Sequence, residues 1–421
     1  SKDGAYIYYM KQGGSIGRHD VKSDKQESLP YVLKMHVDYA AEKDQVFEEA
    51  WRTIYNGFYD PKFHGNDWEA LGKKYKPLCL AASTETDFRD MFNFMLGELN
   101  SSHMGLFRGE RGETQKDATG LLGAELKPVS GGVRVERVIP ESPADRNASR
   151  LYAGDVITGV NGKSVEGNNI YELLQNTVDE QIYLTVKGSS GDREVVIRPV
   201  ASLRTELYKE WVAQRKKLTE EYSGGKLGYI HIRGMDMQSF EEFERELTAA
   251  GYGKQGLVID VRFNGGGFTT DYLMSVLNYK QHAYTIPRGA ASDLEKEKKN
   301  FRPYYPLGER LVYSAWIKPS VALCNEASYS NAEIFSHAYK TLGIGKLVGK
   351  PTNGSVISTG GRGLMDGSFV RLPFRGWFTL ATDVNQELTG PAVPDYDIDT
   401  YPDSKAKGID EQLKKAVEIL R

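Results

Sequence analysis

The chain has 421 residues, 40% of them hydrophobic and 26% charged, with a formal net charge of −3. That length exceeds what one hydrophobic core serves and predicts two to four domains of ordinary globular composition. The near-balanced charge excludes an electrostatic footprint for nucleic acid or an anionic membrane, and no apolar run approaches the roughly 18 residues that span a bilayer.

The chain opens SKDGAYIYYM, on Ser rather than Met and without the charged start and apolar stretch of a signal peptide. It reads as a processed product or a piece of a longer chain. The compartment therefore stays open: the cytoplasm is favoured, with the periplasm or secretion as the alternative where a leader was removed. Residues 1–38 hold two strand-like runs, AYIYYM and LPYVLKMHVDY, around a polar stretch. Lone strands cannot bury a face, so this piece reads as the end of something larger. Residues 39–118 read as helical: DQVFEEAWRTIYNGFY and TDFRDMFNFMLGEL repeat apolar residues at three-to-four spacing. The second run stops at Asn100-Ser101-Ser102-His103. The two cysteines, Cys79 and Cys324, can build neither a disulfide framework nor a metal pattern and read as buried thiols.

Residues 119–205 alternate in the β manner with glycine-containing breaks, around one helical run, NIYELLQNTV. The loop Gly120-Leu121-Leu122-Gly123 before a strand, Ser142-Pro143-Ala144, and Ala153-Gly154-Asp155 leading to Val160-Asn161-Gly162 resemble a PDZ domain. That resemblance implies a groove that takes an extended peptide as an added strand and holds its terminal carboxylate on the N–H groups of Gly120, Leu121, Leu122 and Gly123. Residues 206–421 alternate helices with buried strands such as KLGYIHIRG and QGLVIDVRF, an α/β pattern whose chemistry belongs at the C-terminal ends of the strands.

Two segments of that last region carry chemistry. In VALCNEASYSNAEIFSHAYKTLG a short buried strand turns into a helix starting near Asn331, with Ser330 at the bend. A serine there stands beside free N–H groups and the positive helix end, where an oxyanion forms. The same Ser330-x-x-Glu333 is also a capping box, in which the serine merely closes the helix. The segment is not the Gly-x-Ser-x-Gly elbow of α/β-hydrolases. The second segment, Val258-Ile259-Asp260-Val261-Arg262-Phe263-Asn264-Gly265-Gly266-Gly267, ends a buried strand in three glycines that let backbone N–H groups approach a ligand. No Gly-Lys-Ser/Thr follows, which argues against a phosphate cradle. A plain tight turn is the alternative to an oxyanion hole made with the Asn331 N–H.

Asp-x-Arg-x-Asn-x-Gly-Gly, Ser-x-Ser-x-x-Glu-Ile-Phe and Val-Gly-x-Pro-Thr, taken in series, resemble the C-terminal processing peptidases, the clan that also holds tricorn protease. The resemblance covers residues 39–421 and implies a nucleophile at Ser330 rather than Ser328, with an oxyanion N–H on Gly266 (Gly265 being the near alternative). The processing branch uses a lysine a few residues after Pro-Thr, but here the segment reads Pro351-Thr352-Asn353-Gly354-Ser355. A serine nucleophile needs some base. Of the seven histidines, His19 lies in the polar N-terminal piece, His36 in a strand run, His64 and His282 in loops, and His231 within a core strand. His337 is seven residues along the helix from Ser330, roughly 10 Å at the helical rise. His103 remains, where the tricorn branch has its catalytic histidine after a serine. That branch adds a carboxylate that polarises this serine; Glu387-Leu388-Thr389-Gly390 resembles the segment, although the spacing to Pro394 is one residue longer than the family pattern.

The expected fold is therefore a multidomain α+β chain. Residues 1–38 are the terminal strands of a propeller-like domain, 39–118 a helical subdomain, 119–205 a PDZ-like β-barrel and 206–421 an α/β peptidase domain. The expected activity is hydrolysis of peptide bonds in unfolded proteins or oligopeptides by the tetrad Ser330, His103, Ser102 and Glu387, without cofactor or metal. The specificity pocket is placed in the stretch Tyr279–Arg302, and a closed homo-oligomer, a hexamer above all, follows from the resemblance. The alternatives are a lysine-dependent processing peptidase, opposed by Ser355, and a non-catalytic peptide-binding scaffold.

Overall fold

A computed structural model of the chain describes residues 1–421 other than 33, 35, 110–114, 167–168, 190, 282–284 and 303–312. Strands β1 (Tyr6–Met10), β2 (Ile16–Asp20) and β3 (Gln26–Leu29) form an antiparallel meander. The run expected as a strand beyond Leu29, which holds His36, is irregular at its described residues. Pro30 has no N–H for a ladder, and Val32 is 89% exposed, so nothing there rewards pairing.

Helices α1 (Tyr39–Gly57), α2 (Trp68–Ala81) and α3 (Glu85–Gly97) follow. Each starts on a side-chain cap: Asp38 accepts from Ala40 and Ala41, Asp67 from Ala70 and Thr84 from Asp87. Their apolar stripes meet around Phe47, Ile54, Trp68, Phe92 and Met95, and the buried Cys79 is part of this core. Past α3 the chain turns through Asn100 and His103, both at positive φ, into β4 (Gly105–Phe107).

A six-stranded sheet comes next, built from β5 (Ala124–Val129), β6 (Gly132–Val138), β7 (Val156–Val160), β8 (Lys163–Ser164), β9 (Ile182–Gly188) and β10 (Gly191–Ile197). Its strand order β10-β9-β7-β6-β5 leaves β5 at an edge, facing the short helix α4 (Ile170–Leu173). That helix is shorter than its sequence run.

The α/β part has a parallel sheet in the order β11 (Leu227–His231), β12 (Gly256–Asp260), β13 (Ser320–Cys324), β14 (Lys346–Gly349) and β17 (Tyr396–Asp397). Every residue of β12 and β13 is buried, because helices cover both faces. On one side α6 (Met237–Gly251), α7 (Thr270–Leu277) and α9 (Asn331–Thr341) contribute Phe240, Leu273 and Phe335. On the other, α12 (Glu411–Leu420) contributes Leu413 and Val417, with α5 (Arg204–Ser223) packed beside it. Short helices α8 (Leu294–Glu297), α10 (Gln386–Thr389) and α11 (Pro402–Ala406) complete the described set. His282 and part of the proposed specificity stretch lie outside the described residues.

One departure positions the site. The hairpin β15 (Ile357–Gly363) and β16 (Phe369–Gly376) does not join the parallel sheet; β16 pairs with β4, Arg371 lying opposite Gly105. Leu364 and Val370 bury into the core of α1–α3. This pairing ties the loop that ends in His103 to the half of the chain that holds Ser330. No helix among the described residues is long and apolar enough to cross a membrane.

Candidate active site

Buried β13 leads through Asn325–Tyr329 to Ser330 at the start of α9, where Ser330 has φ 58° and ψ −117°. A non-glycine residue at such positive φ is strained and persists only where its surroundings over-determine it. Glu333, fully buried, supplies that constraint. Its Oε1 accepts from the N–H of Ser330 (3.2 Å) and of Ser355 (2.8 Å), and its Oε2 from Thr352 Oγ1 (2.8 Å) and the Gly354 N–H. The capping box is therefore present, and the cap and nucleophile readings share one position. Ser355, where the processing branch has lysine, turns its hydroxyl to Asn353 Oδ1 at 2.6 Å. The nearby Lys350 is ion-paired with Asp397 (2.5 Å) and Asp399 (2.9 Å).

The glycine turn after β12 is pressed against this bend. A Cβ on Gly266 would stand 2.7 Å from Ser330 Cβ and 2.9 Å from the Asn331 nitrogen, so only glycine fits. Buried Asn264 fixes the turn: its Nδ2 donates to Ile232 O (2.8 Å), its carbonyl accepts from Tyr329 N–H (2.9 Å), and its Oδ1 accepts from Gly266 N–H (2.9 Å). In this unliganded arrangement the last bond engages the Gly266 N–H, the donor expected at the oxyanion. Among the described residues neither the Gly265 nor the Asn331 N–H has a protein acceptor. Asn331 is anchored from behind, its Oδ1 accepting from the Thr270 N–H at 3.0 Å. Further back, Arg262 is clamped between the carboxylates of Asp260 (2.7 Å) and Asp410 (3.0 Å).

His103 is 7% exposed. Its ring stacks on that of Tyr329, the neighbour of Ser330, with centroids 4.5 Å apart and planes 19° from parallel. Nδ1 lies 2.7 Å from Ser102 Oγ, while Nε2 is buried without a partner among the described residues. No hydrogen bond joins His103 to Ser330 in this resting arrangement, a separation common in unliganded catalytic pairs. Burial pushes the imidazole down to about 4, and the Arg371 charge pushes in the same direction.

Glu387 sits on α10, whose cap Asn385 accepts the Glu387 N–H at 3.1 Å. Glu387 Oε1 accepts the Ser102 N–H, and Oε2 is buried without a partner among the described residues. Ser102 thus stands between Glu387 and His103. Reasoning on the sequence missed Glu333 as an anchor and Asn385 as the cap of the Glu387 helix. Asn385 had a visible signal in its position as an N-cap residue two before Glu387.

In the β5 loop, the Gly120 N–H donates to Leu174 O and the Leu121 N–H to Val200 O, each at 2.8 Å. Those two donors are engaged inside the fold, which leaves Leu122 and Gly123 as the members of the loop whose N–H groups have no protein acceptor among the described residues. A cleft lined by Leu126, Val133, Val165, Ile170 and Tyr171 runs between β5 and α4. Among the described residues no group of three or more His, Cys, Asp or Glu could hold a metal ion.

The family model of peptidase family S41 matches residues 226–396, that of the tricorn protease C1 domain residues 39–97, and that of the PDZ domain residues 134–188. The chain is 32% identical over 402 residues to tricorn protease homolog 1 of Streptomyces coelicolor, covering 92% of this chain and 36% of that protein. It is 26% identical over 374 residues to the chloroplastic C-terminal processing peptidase of Tetradesmus obliquus, covering 83% of this chain and 76% of that protein. Its fold is similar to the crystal structure of the tricorn protease, with a TM-score of 0.84 and 25% identity over 100% of this chain and 40% of that one. The chain thus spans between 33% and 44% of the length of the tricorn-type relatives it matches.

Proposed function

The chain carries a peptidase family S41 domain of the tricorn type, and from that premise we propose that it hydrolyses peptide bonds in unfolded proteins or oligopeptides through an acyl-enzyme on Ser330. The observation that carries the proposal is the buried, unpartnered Nε2 of His103, held over Tyr329 beside Ser330. A neutral imidazole nitrogen with no acceptor or donor of its own is where the Oγ proton goes.

In this scheme His103 Nε2 removes the proton as Ser330 Oγ attacks the carbonyl carbon. The Asn331 and Gly265 N–H groups stabilise the oxyanion. His103 then returns the proton to the leaving amine, and water repeats the sequence on the acyl ester. During both steps His103 is positive. Ser102 accepts from Nδ1–H, and its hydroxyl turns toward Glu387 Oε2, whose charge stabilises the imidazolium. The edge strand β5 and the N–H groups of Leu122 and Gly123 take an extended peptide and its carboxylate.

The Ser-Lys reading fits the processing-peptidase relative, but Ser355 stands where its base would be and Lys350 is paired elsewhere. A pure binding scaffold gives no reason for a histidine with its Nε2 buried and unpartnered, stacked on the neighbour of a strained serine. We take residues 1–38, 39–118, 119–205 and 206–421 as the working units, the hairpin β15–β16 packing on the second. The β1–β3 meander is read as the last strands of a propeller blade. Assembly into a closed ring, a hexamer above all, is part of the same proposal. The test is hydrolysis of an unstructured peptide by the purified chain beside Ser330→Ala and His103→Ala: activity in the parent alone supports the proposal, and equal activity in all three refutes it.

A further inference from the structure

Behind Glu387 lies a chain of hydrogen bonds that the proposed chemistry does not use directly. Asn385 Nδ2 donates to Tyr59 Oη at 2.7 Å, Tyr59 Oη lies 2.6 Å from His64 Nε2, and His64 Nδ1 lies 2.8 Å from Leu99 O. Every direction in it is set. The Glu387 N–H can only donate, so Asn385 Oδ1 is the acceptor and Nδ2 faces the phenol. Burial, with the Glu387 charge adding, pushes the Tyr59 phenol up to about 12, so it keeps its proton; with the Asn385 amide donating to its oxygen, that O–H is left to donate to His64 Nε2. His64 must then carry its own proton on Nδ1 and give it to Leu99 O.

The two ends matter. Leu99 closes the turn that leads through Asn100 and Ser101 to Ser102 and His103. Asn385 caps the helix of Glu387, whose Oε1 grips Ser102. The bonds therefore close a ring in which the loop of the base and the helix of the carboxylate are fixed to each other. His64 itself is held at φ 55°, next to Phe63 at φ 49°, with its N–H on Asp60 Oδ2 at 2.8 Å. Two adjacent left-handed non-glycine residues are costly, and such strain gathers where a side chain must be aimed.

We infer that Tyr59, His64 and Asn385 are positioning residues that set Glu387 and Ser102 against His103 and so govern the rate of proton transfer rather than substrate binding. This rests on the reading of Ser330 and His103 given above. Tyr59→Phe removes both phenol bonds while keeping the ring, and His64→Ala removes the imidazole. His64→Gln keeps an acceptor for Tyr59 and a donor for Leu99.

The measurement is kcat and KM on an unstructured peptide, with the rate of labelling by a fluorophosphonate serine probe, on the whole chain. Tyr59→Phe and His64→Ala are expected to lower kcat and the labelling rate about tenfold with KM within about twofold of the parent, the pattern of an interaction that acts in the transition state. His64→Gln is expected to recover most of the loss. If Tyr59→Phe does not fold, Asn385→Asp, which keeps the cap on Glu387 but loses the donor to Tyr59, gives the same readout. Parent-like kcat in folded Tyr59→Phe and His64→Ala, or a lowered melting temperature with kcat unchanged, overturns the inference. So does a His64→Gln no better than His64→Ala. A parent that neither hydrolyses nor labels would instead overturn the assignment of Ser330 itself, and with it any rate for these residues to govern.

Discussion

Glu387 Oε1 accepts the backbone N–H of Ser102, although the two residues stand 285 positions apart in the chain. The bond lies across the seam where β16 pairs with β4. It brings a carboxylate to the residue that contacts His103 Nδ1. Two halves of the chain, separated by the whole PDZ-like module, meet at one imidazole.

The burial of that imidazole sets a pH dependence. With its value pushed from 6.5 down to about 4 by burial, and by the Arg371 charge after it, His103 is neutral and able to accept a proton well below pH 6. An unperturbed histidine base gives an acid limb at about 6 to 7. The expected profile of kcat/KM is instead flat from neutrality to below pH 6, falling only nearer pH 4. Arg371→Gln removes a like charge and moves the limb upward. The sign for stability agrees: neutral burial contributes fully above the unfolded value of 6.5, and that contribution is lost as the pH falls from there toward about 4. A limb at 6 to 7 in the parent, unmoved by Arg371→Gln, would contradict this.

Asp410→Ala tests the support of the glycine turn. It leaves the buried Arg262 with one carboxylate, removes the cap on Leu413 (3.0 Å), and is expected to cost about 3–5 kcal/mol in urea unfolding. Burial alone raises the Asp410 value, and Arg262 outweighs it, holding the carboxyl below its ordinary 3.8. The bridge's contribution is thus present above that value and lost as the pH falls through the folded one. A change under about 1 kcal/mol would show that water replaces the bridge.

Much of this was legible in the sequence, for identifiable reasons. The strands at Gly256–Asp260 and Ser320–Cys324 are continuous apolar runs because both faces are covered, and Ser330 follows the second at a visible junction. His103 stood out because the other histidines were badly placed. The hairpin at 357–376 was not legible: its side chains alternate weakly, and its partner β4 is only three residues long and 260 or so positions away. The bond from the Gly266 N–H to Asn264 Oδ1 was equally hidden, since it depends on a side chain's rotamer. His64 looked like a loop residue because nothing local marks its contacts with Tyr59 and Leu99.

Deleting residues 119–200, with a short linker in their place, is expected to raise KM for long peptides while a small serine probe still labels at close to the parent rate. None of Ser330, His103, Ser102 or Glu387 lies in the deleted stretch. A folded deletion variant that no longer reacts with the probe would mean that the module shapes the catalytic centre.

A closed ring should appear in light scattering at micromolar concentration as a species several times the 47.1 kDa of one chain. A monomer at every concentration would refute the assembly and leave the catalytic assignment untouched.

The most direct test of the central claim is fluorophosphonate labelling followed by peptide mapping. The predicted result is one adduct, on Ser330, abolished in Ser330→Ala and slowed by orders of magnitude in His103→Ala, while both variants keep the parent's fold; loss of the cap costs only about 1 kcal/mol. An adduct on another serine, or labelling of Ser330 at the parent rate in His103→Ala, would contradict the account.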